Sequence, residues 1–331
     1  MLQLLSAAFP SINSQIFQRW GLRAPIFLKI KSMRYSSIAI CFLFVLGLSS
    51  CVSCSKNDNG PVAPIKKEAV ANEDGSYGSG PAGAKRWTNP EDAPRMGKVT
   101  TYKLDGVEEL SGLCLSKDKD FMWGVGDQGY LYKIHFDGTY ETGLEIGGDL
   151  EGLCIDPETG HLYVSGEPDR IYIIKAPDYN KREKVCEVAD ASGYDNSGLE
   201  GIAFYKGELY VGSQTGANYW RYSLDGKKLS NKTSLRTVCP TISEVGDMCY
   251  DAERDRLWVI DSNSNSTRPE YLPFTLYMFS GDASKVIANY ALESFTKNNP
   301  EVCLVDHTHN CIWIADDSSK SILHKVEFSN L

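Results

Sequence analysis

The 331-residue sequence predicts an all-β protein, a five-bladed β-propeller of four-stranded blades closed by its N-terminal strand. Three observations carry that prediction. Short runs rich in Val, Ile, Leu, Tyr and Trp alternate with Gly, Asp and Asn turns, with no convincing helical stretch. One phrase returns five times, its copies 40 to 55 residues apart, a period that marks propeller blades. The last copy lacks an outer strand, while an unassigned strand lies ahead of the first.

The elements follow in chain order. Residues 1–50 stand outside the fold: they hold five basic residues and no acidic one. "MRYSSIAICFLFVLGLSSC" starts at Met33 with one Arg, runs apolar from Ile38 to Leu48, and ends in small residues before Cys51. That is the layout of a secretory signal with Met33 as its start, and the apolar run is shorter than the roughly 20 residues of a membrane span. "LSSC" (48–51) resembles the bacterial lipobox, which makes Cys51 the expected lipidated first residue of the exported chain. Residues 51–96 then form the lipidated cysteine and a tether rich in Gly, Pro, Ser, Asn and Lys, without the apolar content to offset the entropy of ordering.

The folded domain is expected over 97–331. Its copies are "LSGLCLSKDKDFMWGVGDQGYLYKIHFDG" (110–138), "LEGLCIDPETGHLYVSGEPDRIYIIKA" (150–176), "LEGIAFYKGELYVGSQTGANYWRYSLDG" (199–226), "VGDMCYDAERDRLWVIDSNSN" (245–265) and "PEVCLVDHTHNCIWIADDSSKSILHKVEF" (300–328). Each yields an E-G-L strand, an L-Y/W-V strand and a Tyr-rich strand, with a fourth strand before the next copy. "KVTTYKL" (98–104) supplies the strand missing from the last copy, which closes the ring and leaves no open edge. Six blades is the alternative, if the longer connections contain degenerate strands.

Folding each E-G-L hairpin about its turn sets Glu151 opposite Glu167 or its neighbour, Glu200 opposite Ser213 or Gln214, Gly246 opposite Asp261, Glu301 opposite Asp316, and Ser111 opposite Gly126 or Asp127. Because the first strand of a blade lines the central channel, Asp127, Glu151, Glu167, Glu200, Asp261, Glu301 and Asp316 are expected to gather at one channel mouth. Like charges so placed repel. Three outcomes answer that repulsion: a divalent metal, most plausibly Ca²⁺ on Glu151, Glu200 and Glu301; basic side chains folding back, for which Arg170, Arg221, Arg268 and Lys320 are placed; or a wet mouth with solvated acids. Asp156, Asp251 and Asp306 share a turn position and read as caps of their own backbone.

Without its first fifty residues the chain carries 29 basic against 43 acidic residues, a net of −14, which excludes nucleic acid as a natural partner. Seven of the ten cysteines fall in the domain. Cys114, Cys154 and Cys249 share one repeat position that Ala203 fills in the third copy, so the site asks for a small buried side chain and not for a disulfide. "HTH" (307–309) lies in a turn on the face away from the acids. There is no nucleophile elbow, P-loop or dinucleotide fingerprint, hence no evident catalytic constellation.

"ELSGL" (109–113), "LEGL" (150–153), "GLEGIAF" (198–204), "LWVIDSNSN" (257–265) and "PEVCLVD" (300–306) resemble the SdiA-regulated family over roughly residues 97–331. That resemblance implies an exported bacterial propeller, often a lipoprotein, related to NHL-repeat and esterase-like phytase propellers and sited at the cell envelope, on the outer membrane. It implies no settled reaction. "VGDM" in the fourth copy and "PEVC" in the fifth depart from the family's usual phrase. Two functions follow as expectations. One is a lipid-anchored module that holds a small molecule or protein at its channel mouth or through the loop "DSNSNSTRPEYLP" (261–273). The other is a calcium-dependent esterase, phosphoesterase or lactonase, in which the ion would polarise the substrate and activate water, with Glu167, Asp261 or Asp316 as further ligand or base.

Overall fold

The structure, a computed structural model, describes residues 89–191, 198–262 and 274–331. The signal, Cys51, the tether up to residue 88, Arg268 and most of the 261–273 loop lie outside the described residues.

Five four-stranded antiparallel sheets form a five-bladed β-propeller. The strand nearest the N-terminus, β1 (Arg95–Leu104), belongs to the last blade. Blade 1 is β2 (Leu110–Leu115), β3 (Met122–Gly126), β4 (Tyr130–Ile134) and β5 (Tyr140–Glu145). Blade 2 is β6 (Leu150–Ile155), β7 (Leu162–Gly166), β8 (Arg170–Ile174) and β9 (Arg182–Glu187). Blade 3 is β10 (Leu199–Tyr205), β11 (Glu208–Ser213), β12 (Asn218–Ser223) and a two-residue β13 (Thr233–Ser234). Blade 4 is β14 (Asp247–Asp251), β15 (Arg256–Asp261), β16 (Thr275–Ser280) and β17 (Val286–Ala291). Blade 5 is β18 (Pro300–Asp306), β19 (Cys311–Asp316) and β20 (Ser321–Ser329), completed by β1 in antiparallel pairing with β20 from Arg95↔Ser329 to Leu104↔Ser321. The only helical pieces among the described residues are two 3-10 turns in blade 3.

The repeated phrase has a packing logic. Across each first hairpin a small residue on the inner strand faces an aromatic on the next: Cys114↔Trp123, Cys154↔Tyr163, Ala203↔Tyr210, Cys249↔Trp258; in blade 5 Leu304↔Trp313 takes the place. Blades converge towards the axis, so inner positions take small side chains and outer ones large rings. The aromatics fill apolar clusters at the junctions, as Trp258 does between blades 4 and 5 and Trp313 between blades 5 and 1. The seven domain cysteines are free thiols, and burial pushes Cys114, Cys154 and Cys303 well up, which keeps them protonated and inert.

The glycine of E-G-L lets inner strands touch backbone to backbone. A Cβ on Gly152 would sit 2.5 Å from the Glu200 carbonyl oxygen, and one on Gly201 would sit 2.5 Å from the Met248 nitrogen. Gly246 is different, because its nearest neighbours, Ile260 and the Pro300 carbonyl, would lie 3.4 Å from a Cβ. Gly152→Ala is therefore expected to cost about 2 kcal/mol or more through overpacking, and Gly246→Ala under about 1 kcal/mol. Urea denaturation midpoints check the contrast. Equal midpoints for the two variants would contradict it.

Blade 4 meets blade 5 by another device. Asp247 stands where blades 1 to 3 have that glycine, and its Oδ2 accepts the Cys303 N–H at 2.7 Å. Its Oδ1 has no partner among the described residues, and burial pushes this carboxyl well up.

Packing starts ahead of the expected boundary at 97. The Asn89 side chain pairs with Asn289 of β17 as a neighbouring strand would: its Nδ2 donates to the Asn289 carbonyl (2.9 Å) and its Oδ1 accepts the Asn289 N–H (2.9 Å). Ala93 is buried between blades 4 and 5, and the Tyr290 hydroxyl donates to the Pro94 carbonyl (2.8 Å). Residues 89–96 thus belong to the folded body.

Candidate functional site

Four of the five inner strands carry a β-bulge where the repeated phrase places Ser111, Glu151, Glu200 and Glu301. The register jumps between Leu110 and Gly112, Leu150 and Leu153, Leu199 and Ile202, and Pro300 and Val302. A bulge re-aims its residue, and here it frees the side chain from the alternation that would send it into a blade junction.

The bulge also moves the partner by one residue. Opposite the start of these four copies, Leu110, Leu150, Leu199 and Pro300 face Gly126, Gly166, Ser213 and Asp316. In the four bulged blades the residue after the second strand therefore takes the place at the mouth: Asp127, Glu167, Gln214 and Asp317. This corrects the flat-hairpin expectation for two residues. Asp261 is wholly buried and engaged by Ser243, whose N–H and hydroxyl donate to Oδ2 (2.8 Å) and Oδ1 (2.5 Å). Asp316 is equally buried, takes the Lys297 N–H on Oδ2 (3.3 Å), and sets Oδ1 3.5 Å from His324 Nε2. Both are parts of the framework, and Asp317 takes the place expected for Asp316.

Three further acids lie just ahead of the inner strands, Glu109 and Asp149 by one residue and the buried Glu244 by three. Glu109 and Asp149 show in the sequence as "EELSGL" and "GGDLEGL", one residue ahead of the repeated phrase. Glu109 sits at φ 49°, a strained conformation for a side-chain-bearing residue, and its carbonyl accepts both the Ser111 hydroxyl (3.0 Å) and the Asp127 N–H (3.3 Å). Glu244 accepts from the Ser262 hydroxyl.

The acids brought together are thus Asp127, Glu151, Glu167, Glu200 and Glu301, with Glu109, Asp149, Glu244 and Asp317 around them. Burial first, then the Glu200, Asp127, Glu301 and Asp149 charges, push Glu151 well above the carboxylate range. Burial and then Glu301 do the same to Glu200; burial and then Asp317 do it to Glu301. Asp127 is raised to about 7 by burial against a smaller opposing hydrogen bond from Ser111 (2.8 Å), with Asp149, Glu109 and Asp317 adding to the rise. Glu167 is raised by burial while the Gly198 N–H (3.0 Å) holds its Oε1.

Of the basic residues that could have folded back, the three among the described residues, Arg170, Arg221 and Lys320, do not. Arg170 lies 4.0 Å from Asp169, Arg221 holds Glu208 at the far end of blade 3 (Nε to Oε2, 2.8 Å), and Lys320 lies 3.9 Å from Asp105 in solvent. The charges acting most strongly on Glu151, Glu200 and Glu301 are all carboxylates. One oxygen each of Asp127, Asp149 and Glu151 lies within 4.8 Å of the other two. Calcium–oxygen distances of about 2.4 Å span at most about 4.8 Å across the ion, so this trio fits one calcium shell.

On the opposite face the turn acids cap backbone as expected. Asp156 accepts the Glu158 N–H (2.9 Å), Asp251 the Glu253 N–H (3.0 Å) and Asp306 the His309 N–H (3.1 Å). His307 and His309 are engaged by Asp251 (2.8 Å) and Asp306 (2.7 Å).

No protein-family model matches the chain, and no curated protein matches it. Among solved structures the chain is similar to a glutaminyl cyclase of Myxococcus xanthus, at 12% identity over 71% of this chain and 96% of that one, with a TM-score of 0.53. It is similar also to a glucose dehydrogenase, at 12% identity over 70% of this chain and 100% of that one, with a TM-score of 0.51. At such identities the likeness shows the fold alone.

Proposed function

We propose that the chain is an exported, lipid-anchored β-propeller of the SdiA-regulated type, a binding module at the cell envelope whose channel mouth captures a divalent cation and, through it, a ligand. The signal and lipobox phrases ahead of Cys51 and the E-G-L phrases of the repeat support the first half of that reading. The second half is carried by one observation, the convergence of Asp127, Asp149 and Glu151 on a point that one calcium ion would fit. Oxygen-only donors of this kind suit calcium, which would also offset the mutual repulsion of the acids.

A calcium-dependent hydrolase is the second reading, and Glu167 favours it. Glu167 stands outside the calcium trio, and burial raises its carboxyl, the direction a general base needs. Hydrolysis of generic phosphoesters, esters and lactones by the calcium-loaded chain, lost in Glu167→Gln while calcium binding persists, would distinguish that reading from binding alone.

Thermal melting in calcium tests the cation itself. A ligand bound only by the folded state raises its melting temperature, by about 2.7 kcal/mol of stability at a hundredfold excess over Kd. The full chain is expected to melt several degrees higher in millimolar calcium than in chelator, and Glu151→Gln to remove most of that gain. Coincident melting curves in calcium, magnesium, manganese and chelator would defeat the reading.

A further inference from the structure

We propose that the closing blade carries a nucleophilic threonine, Thr101, activated by His324 and Asp316, which takes the acyl group of small activated esters. The nucleophile lies on β1, the outermost strand of blade 5, whereas the acids of the mouth start from inner strands. Its chemistry asks for no cation, so the inference stands apart from the reading above.

Packing does not ask for this trio, as the other blades show. His324 faces Ile314 of β19. At the same register the other blades set a larger ring: Tyr132 faces Gly124, Tyr172 faces Val164, Trp220 faces Val211 and Tyr277 faces Val259. Blade 5 alone has an imidazole there. At the end of the second strand blades 1 to 3 have Gly126, Gly166 and Ser213, where blade 5 has Asp316. Blade 4 also ends that strand in an acid, Asp261, but Ser243 holds both its oxygens.

The three side chains run in line from the surface inward. Thr101 is exposed, pairs with His324 across the β1–β20 ladder, and sets its Oγ1 3.0 Å from His324 Nδ1. His324 is 3% exposed and Asp316 1%. Nε2 and Asp316 Oδ1 face each other at 3.5 Å, and neither is hydrogen-bonded to any other described residue. Asp316 Oδ2 accepts the Lys297 N–H, and the Phe295 ring stands edge-on to the imidazole at 5.1 Å. With its proton on Nε2, directed at Asp316, the imidazole leaves Nδ1 to accept the Thr101 proton. A hydroxyl beside a base that a third group orients is the mark of an activated nucleophile, and such contacts are often long until the reaction draws them together. A pair serving packing alone has no need of an exposed hydroxyl at its end.

The step is acyl transfer. Thr101 Oγ1 attacks the ester carbonyl carbon while its proton passes to His324 Nδ1. The bond from that carbon to the leaving oxygen breaks, and the proton departs with the alkoxide or phenolate. Water, deprotonated by the same nitrogen, then releases the carboxylic acid and restores the hydroxyl. Thr101 is exposed on an outer strand, so small acyl groups on good leaving groups are the substrates that suit it.

p-Nitrophenyl acetate tests the site on the full chain in chelator, a condition in which a calcium-dependent mouth is silent. A burst of nitrophenolate is expected, with an acetyl group located on Thr101 by peptide mass mapping. Thr101→Val should abolish the burst and Thr101→Ser should keep it, both at the melting temperature of the intact chain. Asp316 is a positioning residue. Asp316→Asn should slow acylation about a hundredfold or more and move the His324 ring proton from Nε2 to Nδ1, read from its nitrogen NMR shifts, a change that loss of packing alone does not produce. Acetyl groups found only on lysines, or equal bursts from the intact chain and Thr101→Val, overturn the proposal. Either result leaves the cation reading where melting in calcium puts it.

Discussion

A chain that begins after Leu104 is expected to have no cooperative unfolding transition and to be degraded by protease at the rate of an unfolded protein. β1 contributes eight register pairs to β20, and without it that strand becomes an open edge in blade 5. The loss also strips the junction between blades 5 and 1. Leu104 is wholly buried there, and Tyr102 lies 6.1 Å, ring to ring, from Trp313. Burying one such Leu is worth about 1.5–3 kcal/mol, and Ala93 is lost from the neighbouring junction. Net stabilities of domains are only about 5–15 kcal/mol, so the removal of a whole strand exceeds what the remaining blades hold in reserve. Circular dichroism through a thermal ramp reads the result. A shortened chain that melts cooperatively near the temperature of the intact one would show that closure through β1 is dispensable.

The second large effect is a stability that falls as pH rises, the reverse of the trend that salt-bridged carboxylates produce. Asp127 holds its proton up to about pH 7 in the folded state, against an ordinary value of 3.8 in the unfolded chain. Glu151, Glu200, Glu301 and Asp247 are displaced the same way. Between the two values the folded chain binds more protons than the unfolded one, so the stabilisation is complete below the unfolded pKa and is lost as pH climbs through the folded one. Cation-free chain is expected to melt about 5 °C lower at about pH 8.5 than at about pH 5.5. Saturating calcium should reverse that slope, because the ion binds the deprotonated carboxylates and stabilises the state that high pH otherwise weakens. Melting temperatures across this range, with and without calcium, decide it. A cation-free chain whose melting temperature rises with pH would mean that these acids are compensated within the protein.

The blade count and the closing strand were legible because each copy must supply the same hairpin, and period and turn chemistry survive divergence in any single copy. The mouth was legible only in part. Glu151, Glu200 and Glu301 stand out because E-G-L recurs, but the bulge that aims them leaves no mark in composition, since it inserts a residue without changing the alternation on either side. The same bulge explains why Asp316 was expected where Asp317 stands. Asp149 and Glu109 were not expected at the mouth because they lie just ahead of the first residue of their copies. Asn89 went unread because a single side chain imitating a strand has no pattern at all.

That Asn89 contact has a mechanical meaning. If the chain ahead of it is tied to a surface, a pull on the domain reaches Asn89 first. The load falls on its two bonds to Asn289 and then on the Tyr290–Pro94 bond before it reaches β1. Strain is thereby shed into the rim of blade 4, and the seam that shuts the ring is shielded from being unzipped residue by residue from its own end.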